Sequence, residues 1–266
     1  MTVTPEGGAS LVRTGTGMTS VRAEGAGPPL VLAHGLQVGQ ELFTPLRRRL
    51  TSSFTVITYD QRDRGDTAFR PSAYTTDDLA DDLAALIEAL GFARAHVLGT
   101  SFGGMVAQAF ALRHPGRLDR LVLGATSREP FRPERLTGPV RALVDALEKG
   151  SEEDAMALLA QMAPAAGRAA SEGGTAAVPG GAEALMRRFA ATRPFDMRGR
   201  LGAIAAETLV LHGRDDTAVP LADALAMAAE IPYADVLVLA RCGHAWENER
   251  PGSAASAIRS FLAASR

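Results

Sequence analysis

Short apolar segments alternate with helical patterns along most of this 266-residue chain, and this alternation restricts its possible folds more than any other feature. Continuous apolar runs of this length are typical of strands that are buried on both faces of a parallel sheet. Patterns with one apolar stripe, such as that of residues 76–91, predict helices between them. The alternation therefore predicts an α/β fold in which helices flank a mostly parallel central sheet. The predicted strands are Pro29–Gly35, Phe54–Asp60, Arg94–Thr100, Leu118–Thr126, Thr208–Gly213 and Asp235–Ala240.

One interval breaks this rhythm. About eighty residues separate the strand that ends near Thr126 from the strand that begins at Thr208, and a simple crossover needs far fewer. Apolar residues at helical spacing lie within the interval, and Ser151 is placed to cap a further helix. We therefore predict a helical cap over residues 127–199, inserted into an α/β core formed by residues 1–126 and 200–266.

Composition limits the classes of function. The formal net charge is −2, which provides no long-range attraction to nucleic acid or to an anionic membrane. The single cysteine, Cys242, excludes an internal disulfide and a cysteine-rich metal site. Neither a signal-like N-terminus nor an apolar run of membrane-spanning length is present. We expect a cytoplasmic protein that acts on a small molecule without a metal, and the oligomeric state does not follow from the sequence.

The segment Gly-Thr-Ser-Phe-Gly, residues 99–103, places Ser101 between a predicted strand and a predicted helix. In a sharp strand-to-helix turn the serine hydroxyl is lifted above the sheet, and glycines two residues away avoid steric collision. The hydroxyl then lies at the N-terminal end of a helix, where free N–H groups favour negative charge. This context predicts a nucleophile, and the alternative is an ordinary exposed serine in a glycine-bearing loop.

A serine nucleophile needs a base and an acid that orients the base. His244 follows the last predicted strand, where sites in such sheets lie, and it completes the chain order Ser, Asp, His. Asp215 and Asp216 follow the preceding strand, and chemistry alone does not separate them; their spacing from Gly213 and Pro220 favours Asp216. The remaining histidines are interpreted as packed or surface residues: His34, His96, His114 and His212.

These motifs, together with Leu-Ala-His-Gly at residues 32–35 and Tyr-Asp-Gln-Arg at 59–62, resemble the α/β-hydrolase superfamily over nearly the whole chain. The resemblance implies an α/β-hydrolase fold with the cap between the sixth and seventh strands. Within the superfamily the chain is most similar to small capped bacterial esterases and enol-lactone hydrolases. One departure is Asp63, which stands where relatives often have glycine, so the conformation of that loop is open.

The resemblance also assigns roles to residues. Ser101 is the expected nucleophile, His244 the base and Asp216 the orienting acid, with no cofactor. Two backbone N–H groups, those of Leu36 and Phe102, are expected to form the oxyanion hole.

The substrate pocket is predicted from the cap and from neighbours of the motifs: Gln37, Met156, Met162, Met186 and Trp246. Methionine is unbranched and polarizable, so it suits an adaptable apolar pocket. Met197 belongs to the same predicted cap, and arginines there are candidate partners for a carboxylate: Arg128, Arg132 and Arg135. The alternative is that the methionines fill the core of the cap and the arginines are solvated. We expect a medium-sized apolar or aromatic ester or lactone as substrate.

Three rival functions stay open. A C–C bond hydrolase or a cofactor-free perhydrolase would use the same three residues. A dehalogenase would need an acid in place of Ser101, which disfavours that function. A ligand-binding protein with vestigial turnover is the non-enzymatic alternative.

Overall fold

The computed structural model of the chain describes residues 8–15, 17–69, 72–130, 138–162 and 181–263. Eight strands form one continuous path in its sheet. In chain order they are β1 (Ser10–Thr14), β2 (Gly17–Glu24), β3 (Pro29–Ala33), β4 (Thr55–Tyr59), β5 (Ala95–Thr100), β6 (Leu118–Gly124), β7 (Thr208–Gly213) and β8 (Ala234–Leu239).

The strands lie side by side in the order β1-β2-β4-β3-β5-β6-β7-β8. β1 pairs antiparallel with β2, and β2 pairs antiparallel with β4, whereas every later pair is parallel. A two-residue strand, Ala68–Phe69, pairs with β2 outside this path. Because β3 and β5 to β8 are parallel neighbours, the loops that follow them meet at one edge of the sheet.

Nine α-helices are described in the structure. They are α1 (Thr44–Leu50), α2 (Thr76–Ala89), α3 (Phe102–Arg113), α4 (Gly138–Glu148), α5 (Glu152–Met162), α6 (Gly181–Thr192), α7 (Leu221–Glu230), α8 (Trp246–Glu249) and α9 (Pro251–Ala263). Helices α4, α5 and α6 lie between β6 and β7 in the chain, which confirms that helices are inserted after the sixth strand. None of the helices in the described ranges combines the length and apolar character needed to cross a bilayer.

The core has two layers because neighbouring residues of each central strand point to opposite faces. On β3, Val31 packs into a cluster with residues of α2, α3 and α7, whereas Leu32 packs into a cluster with residues of α1, α8 and α9. Both side chains are fully buried. This two-sided burial explains the continuous apolar runs from which the parallel strands are predicted.

A third apolar cluster joins the inserted helices. Leu143 of α4 and Leu185 of α6 are its most buried leucines, and Phe189 packs with them. Leu36, from the loop after β3, contacts this cluster and also the core of the sheet. The inserted helices therefore lie over the loop that contains a predicted oxyanion-hole residue.

Candidate active site

Ser101 occupies a strained turn between β5 and α3, with φ 54° and ψ −118°. A non-glycine residue at positive φ costs about 1–3 kcal/mol and persists only where its surroundings hold it. Here the Ser101 N–H donates to the Gly124 carbonyl at 2.8 Å, and its own carbonyl accepts from the Thr126 hydroxyl at 2.8 Å. The first turn of α3 adds a bond from Gly104 N–H at 2.9 Å. These bonds fix the strained backbone that presents the hydroxyl.

The glycines on either side of Ser101 allow close approach of two backbones. A Cβ on Gly99 would overlap the carbonyl of Gly103, and one on Gly103 would overlap the carbonyl of Ala33 at the end of β3. A Cβ on Gly35 would lie 3.7 Å from Cβ of Ser101. The turn therefore packs directly against the end of β3 and the loop that follows it.

The structure brings together Ser101, His244 and Asp216, which are distant in the chain. His244 Nε2 lies 3.1 Å from Ser101 Oγ, and His244 Nδ1 lies 2.8 Å from Asp216 Oδ2. Since a carboxylate only accepts hydrogen bonds, Nδ1 carries the proton and Nε2 is free to accept the proton of the serine. Asp215 is exposed, whereas the side chain of Asp216 is fully buried.

The loop after β7 holds the Asp216 carboxylate in place. Its Oδ1 accepts from the N–H groups of Ala218 at 2.8 Å and Val219 at 2.9 Å. His212, fully buried on β7, has its Nε2 3.0 Å from the Val219 carbonyl and 3.4 Å from Asp216 Oδ2. The sequence marks His212 only as a packed residue, and its proximity to the acid follows from the turn after β7.

The charges of the site oppose the effect of burial. Burial raises the pKa of Asp216, but the hydrogen bond and charge of His244 and the two N–H groups outweigh it, so the pKa lies below its ordinary value. Burial lowers the pKa of His244, but Asp216 outweighs it through its hydrogen bond and charge, with a smaller contribution from Glu247, so the net pKa is raised. The pair is therefore arranged to stabilise an imidazolium next to Ser101.

Glu247 is a buried carboxyl group near His244 that the sequence analysis missed. It is 1% exposed, and its Oε1 has no hydrogen-bond partner among the described residues. Burial raises its pKa to about 7, although a hydrogen bond from the Thr100 side chain and the charge of His244 oppose the shift. No sequence signal separates this glutamate from its exposed neighbours in α8, Asn248 and Glu249.

The prediction that Trp246 lines the substrate pocket is corrected by its position. The indole is fully buried in the cluster beneath the sheet, against Gly124, and its Nε1 donates to the Thr100 hydroxyl at 3.2 Å. The indole therefore packs against the ends of β5 and β6, and its N–H group is already hydrogen-bonded. It does not face a bound substrate. Trp246 is close to His244 in the chain, but this does not place its side chain in the site, because α8 begins at Trp246 and buries it.

The two residues predicted to donate to an oxyanion lie beside Ser101. Phe102 is the first residue of α3, a position whose N–H has no intrahelical acceptor. Leu36 follows Gly35, which approaches Ser101. The loop that contains Leu36 is also held by Arg64, which donates hydrogen bonds to the carbonyls of Gln37 and Val38.

The other residues predicted for the pocket have different surroundings in the structure. Gln37 is half-buried beside Leu36, and Met186 is half-buried against the cluster of the inserted helices. Met197 lies instead in the main core at 2% exposure, and Arg128 is paired with Glu230 at 2.6 Å. The side chains of four predicted residues lie outside the described part: Met156, Met162, Arg132 and Arg135. In the described ranges no cluster of His, Cys, Asp and Glu is placed to hold a metal ion.

The fold and site together define an α/β hydrolase. A family model described as the alpha/beta hydrolase fold matches residues 28–246, so the chain belongs to that family.

Individual relatives differ in the reactions their names describe. The chain is 32% identical, over an alignment of length 282, to 2-hydroxymuconate semialdehyde hydrolase of Pseudomonas sp. (strain CF600). The alignment covers 97% of this chain and 95% of that protein. The chain is 30% identical over 244 residues to the putative carbamate hydrolase RutD of Caulobacter segnis, covering 88% and 90%. A thermophilic esterase from Thermogutta terrifontis superposes with a TM-score of 0.78 at 27% identity, covering 96% and 97%.

Proposed function

We propose that this protein is a serine hydrolase that cleaves an ester or lactone of a medium-sized apolar or aromatic molecule through an acyl-enzyme. The observation that carries the proposal is the continuous chain of polar contacts from Ser101 Oγ through His244 to the buried Asp216, at 3.1 and 2.8 Å. A nucleophile, a base and an orienting acid are the three parts that acyl transfer by serine needs.

In the proposed reaction His244 Nε2 takes the hydroxyl proton as Ser101 Oγ attacks the carbonyl carbon. The new C–O bond places negative charge on the carbonyl oxygen, which accepts hydrogen bonds from the N–H groups of Leu36 and Phe102. Loss of one such donor typically costs about 3 kcal/mol, on the order of a hundredfold in rate or more. His244 then protonates the leaving alkoxide, and water attacks the acyl-enzyme by the same steps in reverse.

The preference for an apolar substrate is supported by two half-buried apolar side chains, Leu36 and Met186, which pack against the apolar cluster of the inserted helices. This cluster consists of apolar residues, among them Leu143 and Phe189. Arg128, one of the predicted anchors for a carboxylate, is already held by Glu230. A neutral acyl group that contacts Leu36 and Met186 fits these features better than an anion does.

C–C bond hydrolysis is the second candidate. The observation that favours it is the likeness to the relative whose named substrate is a semialdehyde rather than an ester. The likeness to a named carbamate hydrolase and to an esterase supports acyl transfer to water from a heteroatom. Parallel assays with a p-nitrophenyl ester, an enol lactone and 2-hydroxymuconate semialdehyde separate the two candidates by the bond that breaks.

The first experiment is labelling with an active-site-directed fluorophosphonate, followed by mass mapping of the modified peptide. We expect a single modification at Ser101, and a rapid burst of p-nitrophenol from a short acyl ester that Ser101→Ala abolishes. Failure of labelling, with ligand binding unaffected by Ser101→Ala, would contradict the proposal and favour a ligand-binding protein.

A further inference from the structure

Arg188 of α6 is a cation that is fully removed from solvent. Its guanidinium donates to three backbone carbonyls: Nε to Leu36 at 2.7 Å, Nη1 to Arg62 at 2.7 Å and Nη2 to Gly35 at 3.1 Å. All three acceptors are uncharged, and burial lowers the pKa of the guanidinium to about 10. Placing a cation in the interior is costly, and an apolar side chain would fill the same space without that cost.

Two of the three carbonyls belong to the loop of the proposed oxyanion hole. The Gly35 carbonyl and the Leu36 N–H are the two ends of one peptide group, so a donor on the carbonyl both orients the N–H and polarises it. The same carbonyl also receives a hydrogen bond from His34 Nδ1 at 2.8 Å. His34 Nε2 accepts from the Gln61 N–H at 3.1 Å, which assigns the ring proton to Nδ1. A carbonyl with two donors, one of them charged, makes its peptide a stronger donor at the N–H end.

The same guanidinium reaches the second donor residue. Its central carbon lies 4.9 Å from the centroid of the Phe102 ring, within the range of a cation–π interaction. Phe102 follows Ser101, and its N–H is the other proposed donor. One side chain from the inserted helices therefore contacts both residues that are proposed to bind the oxyanion.

We propose that Arg188 is a positioning residue for the oxyanion hole, which holds the Gly35–Leu36 peptide and the Phe102 ring from the side of the inserted helices. This inference rests on the proposed function, because it assigns a task in the same acyl transfer. The polarised peptide stabilises charge in the transition state more than it aids ground-state binding, so kcat depends on Arg188 more than KM does.

The test compares Arg188→Met and Arg188→Lys with wild type, using a p-nitrophenyl ester as substrate and phenylboronic acid as inhibitor. The boronate adds to Ser101 as a tetrahedral anion, so its inhibition constant reports on the oxyanion hole. We expect Arg188→Met to lower kcat by about tenfold to a hundredfold and to weaken boronate inhibition in parallel, with KM changed less than threefold. Arg188→Lys, which keeps the charge but not the three-way donor geometry, restores part of the loss.

The neighbouring residue supplies the matched control. Arg187 lies on the same helix and joins it to the core through Asp63, and within the described part of the chain its hydrogen bonds go to Asp63 rather than to the loop after β3. Arg187→Met therefore loosens the seating of α6 while leaving the carbonyl contacts intact. If Arg187→Met lowers kcat as much as Arg188→Met does, the effect belongs to the seating of the helix, and the positioning role is wrong.

A second readout does not depend on turnover. In ¹⁵N-leucine-labelled protein, the Leu36 amide proton is expected to move upfield in Arg188→Lys, because its peptide loses polarisation, while leucine amides of β6 stay unchanged. An unchanged Leu36 amide together with unchanged kcat and boronate inhibition overturns the proposal. If wild type turns over no ester and Ser101 is not labelled, the proposed function fails instead, and the Leu36 amide shift alone decides the role of Arg188.

Discussion

Arg187 of α6 binds Asp63 of the core through two hydrogen bonds, from Nε at 3.0 Å and from Nη2 at 2.7 Å. Asp63 is buried, lies at φ 61° and accepts a further bond from the Tyr74 hydroxyl at 2.9 Å. The residue that departs from the glycine of related sequences thus keeps a backbone conformation that glycine favours. Its carboxylate adds a docking point for the inserted helices, which a glycine would not provide.

The first prediction concerns this ion pair. Asp63→Asn removes the buried carboxylate that pairs with the half-buried Arg187, and we expect a loss of about 2–4 kcal/mol in the free energy of unfolding. The double variant with Arg187→Met should lose less than the sum of the single losses, because each change removes the same interaction. Urea unfolding of the four proteins measures this coupling. Strictly additive losses would mean that the two side chains do not interact.

The second prediction concerns pH. In the proposed reaction His244 acts as a base only when it is neutral, and its pKa lies above the ordinary value of 6.5. Proton loss activates the enzyme, so kcat/KM should rise with pH through this raised pKa. Glu247 is one of the anions that raise it, and its own pKa is about 7. The two groups titrate together, so we expect an acid limb broader than that of a single proton.

Glu247→Gln tests the sign of that coupling. Removing the anion disfavours the imidazolium, so the acid limb should move to lower pH and take the shape of a single ionisation. The measurement is the pH profile of kcat/KM, with Asp215→Asn, at an exposed position of the loop after β7, as the charge-matched control. A limb that stays in place or moves upward contradicts an electrostatic role of Glu247.

Local pattern was sufficient to predict the parallel strands, because burial on both faces leaves continuous apolar runs. The six predicted strands correspond to β3 to β8, and no predicted end differs from the observed one by more than two residues. β1 and β2 were missed, since they are mixed in polarity and form an antiparallel pair at the sheet edge. Nothing in their spacing distinguishes them from a polar N-terminal segment.

The site residues also divide into those with a local sequence pattern and those that depend on contacts distant in the chain. That Ser101, His244 and Asp216 lie close together could be predicted, because each follows a recognisable strand and the turn chemistry is local. The burial of Arg188 could not be predicted, because two adjacent arginines look alike in the sequence and only the packing of α6 determines which one is buried. The prediction that Trp246 lines the substrate pocket failed for a related reason. Its indole packs against Gly124, on a strand more than a hundred residues away in the chain.

The third prediction separates the two neighbouring aspartates. Asp216→Asn keeps the shape of the side chain but favours the wrong imidazole tautomer, and we expect kcat to fall by about 10³- to 10⁴-fold. Asp215→Asn changes an exposed side chain and should leave kcat within about twofold. Steady-state kinetics on one ester decide the matter, with thermal unfolding as a check on folding. Equal losses in the two variants would assign both aspartates to the site.

The fourth prediction concerns the backbone contact that supports the nucleophile turn. A methyl group on Gly103 would overlap the Ala33 carbonyl, which is fixed in β3 and has no room to move. Gly103→Ala should therefore lower the free energy of unfolding by about 3 kcal/mol or more, with loss of ester turnover. Gly116→Ala is the matched control, because a Cβ there has no neighbour within 4 Å and the residue lies at no positive φ. If denaturant unfolding finds both variants equally stable, β3 and the turn are not in rigid contact, and Ser101 is held only by its own hydrogen bonds.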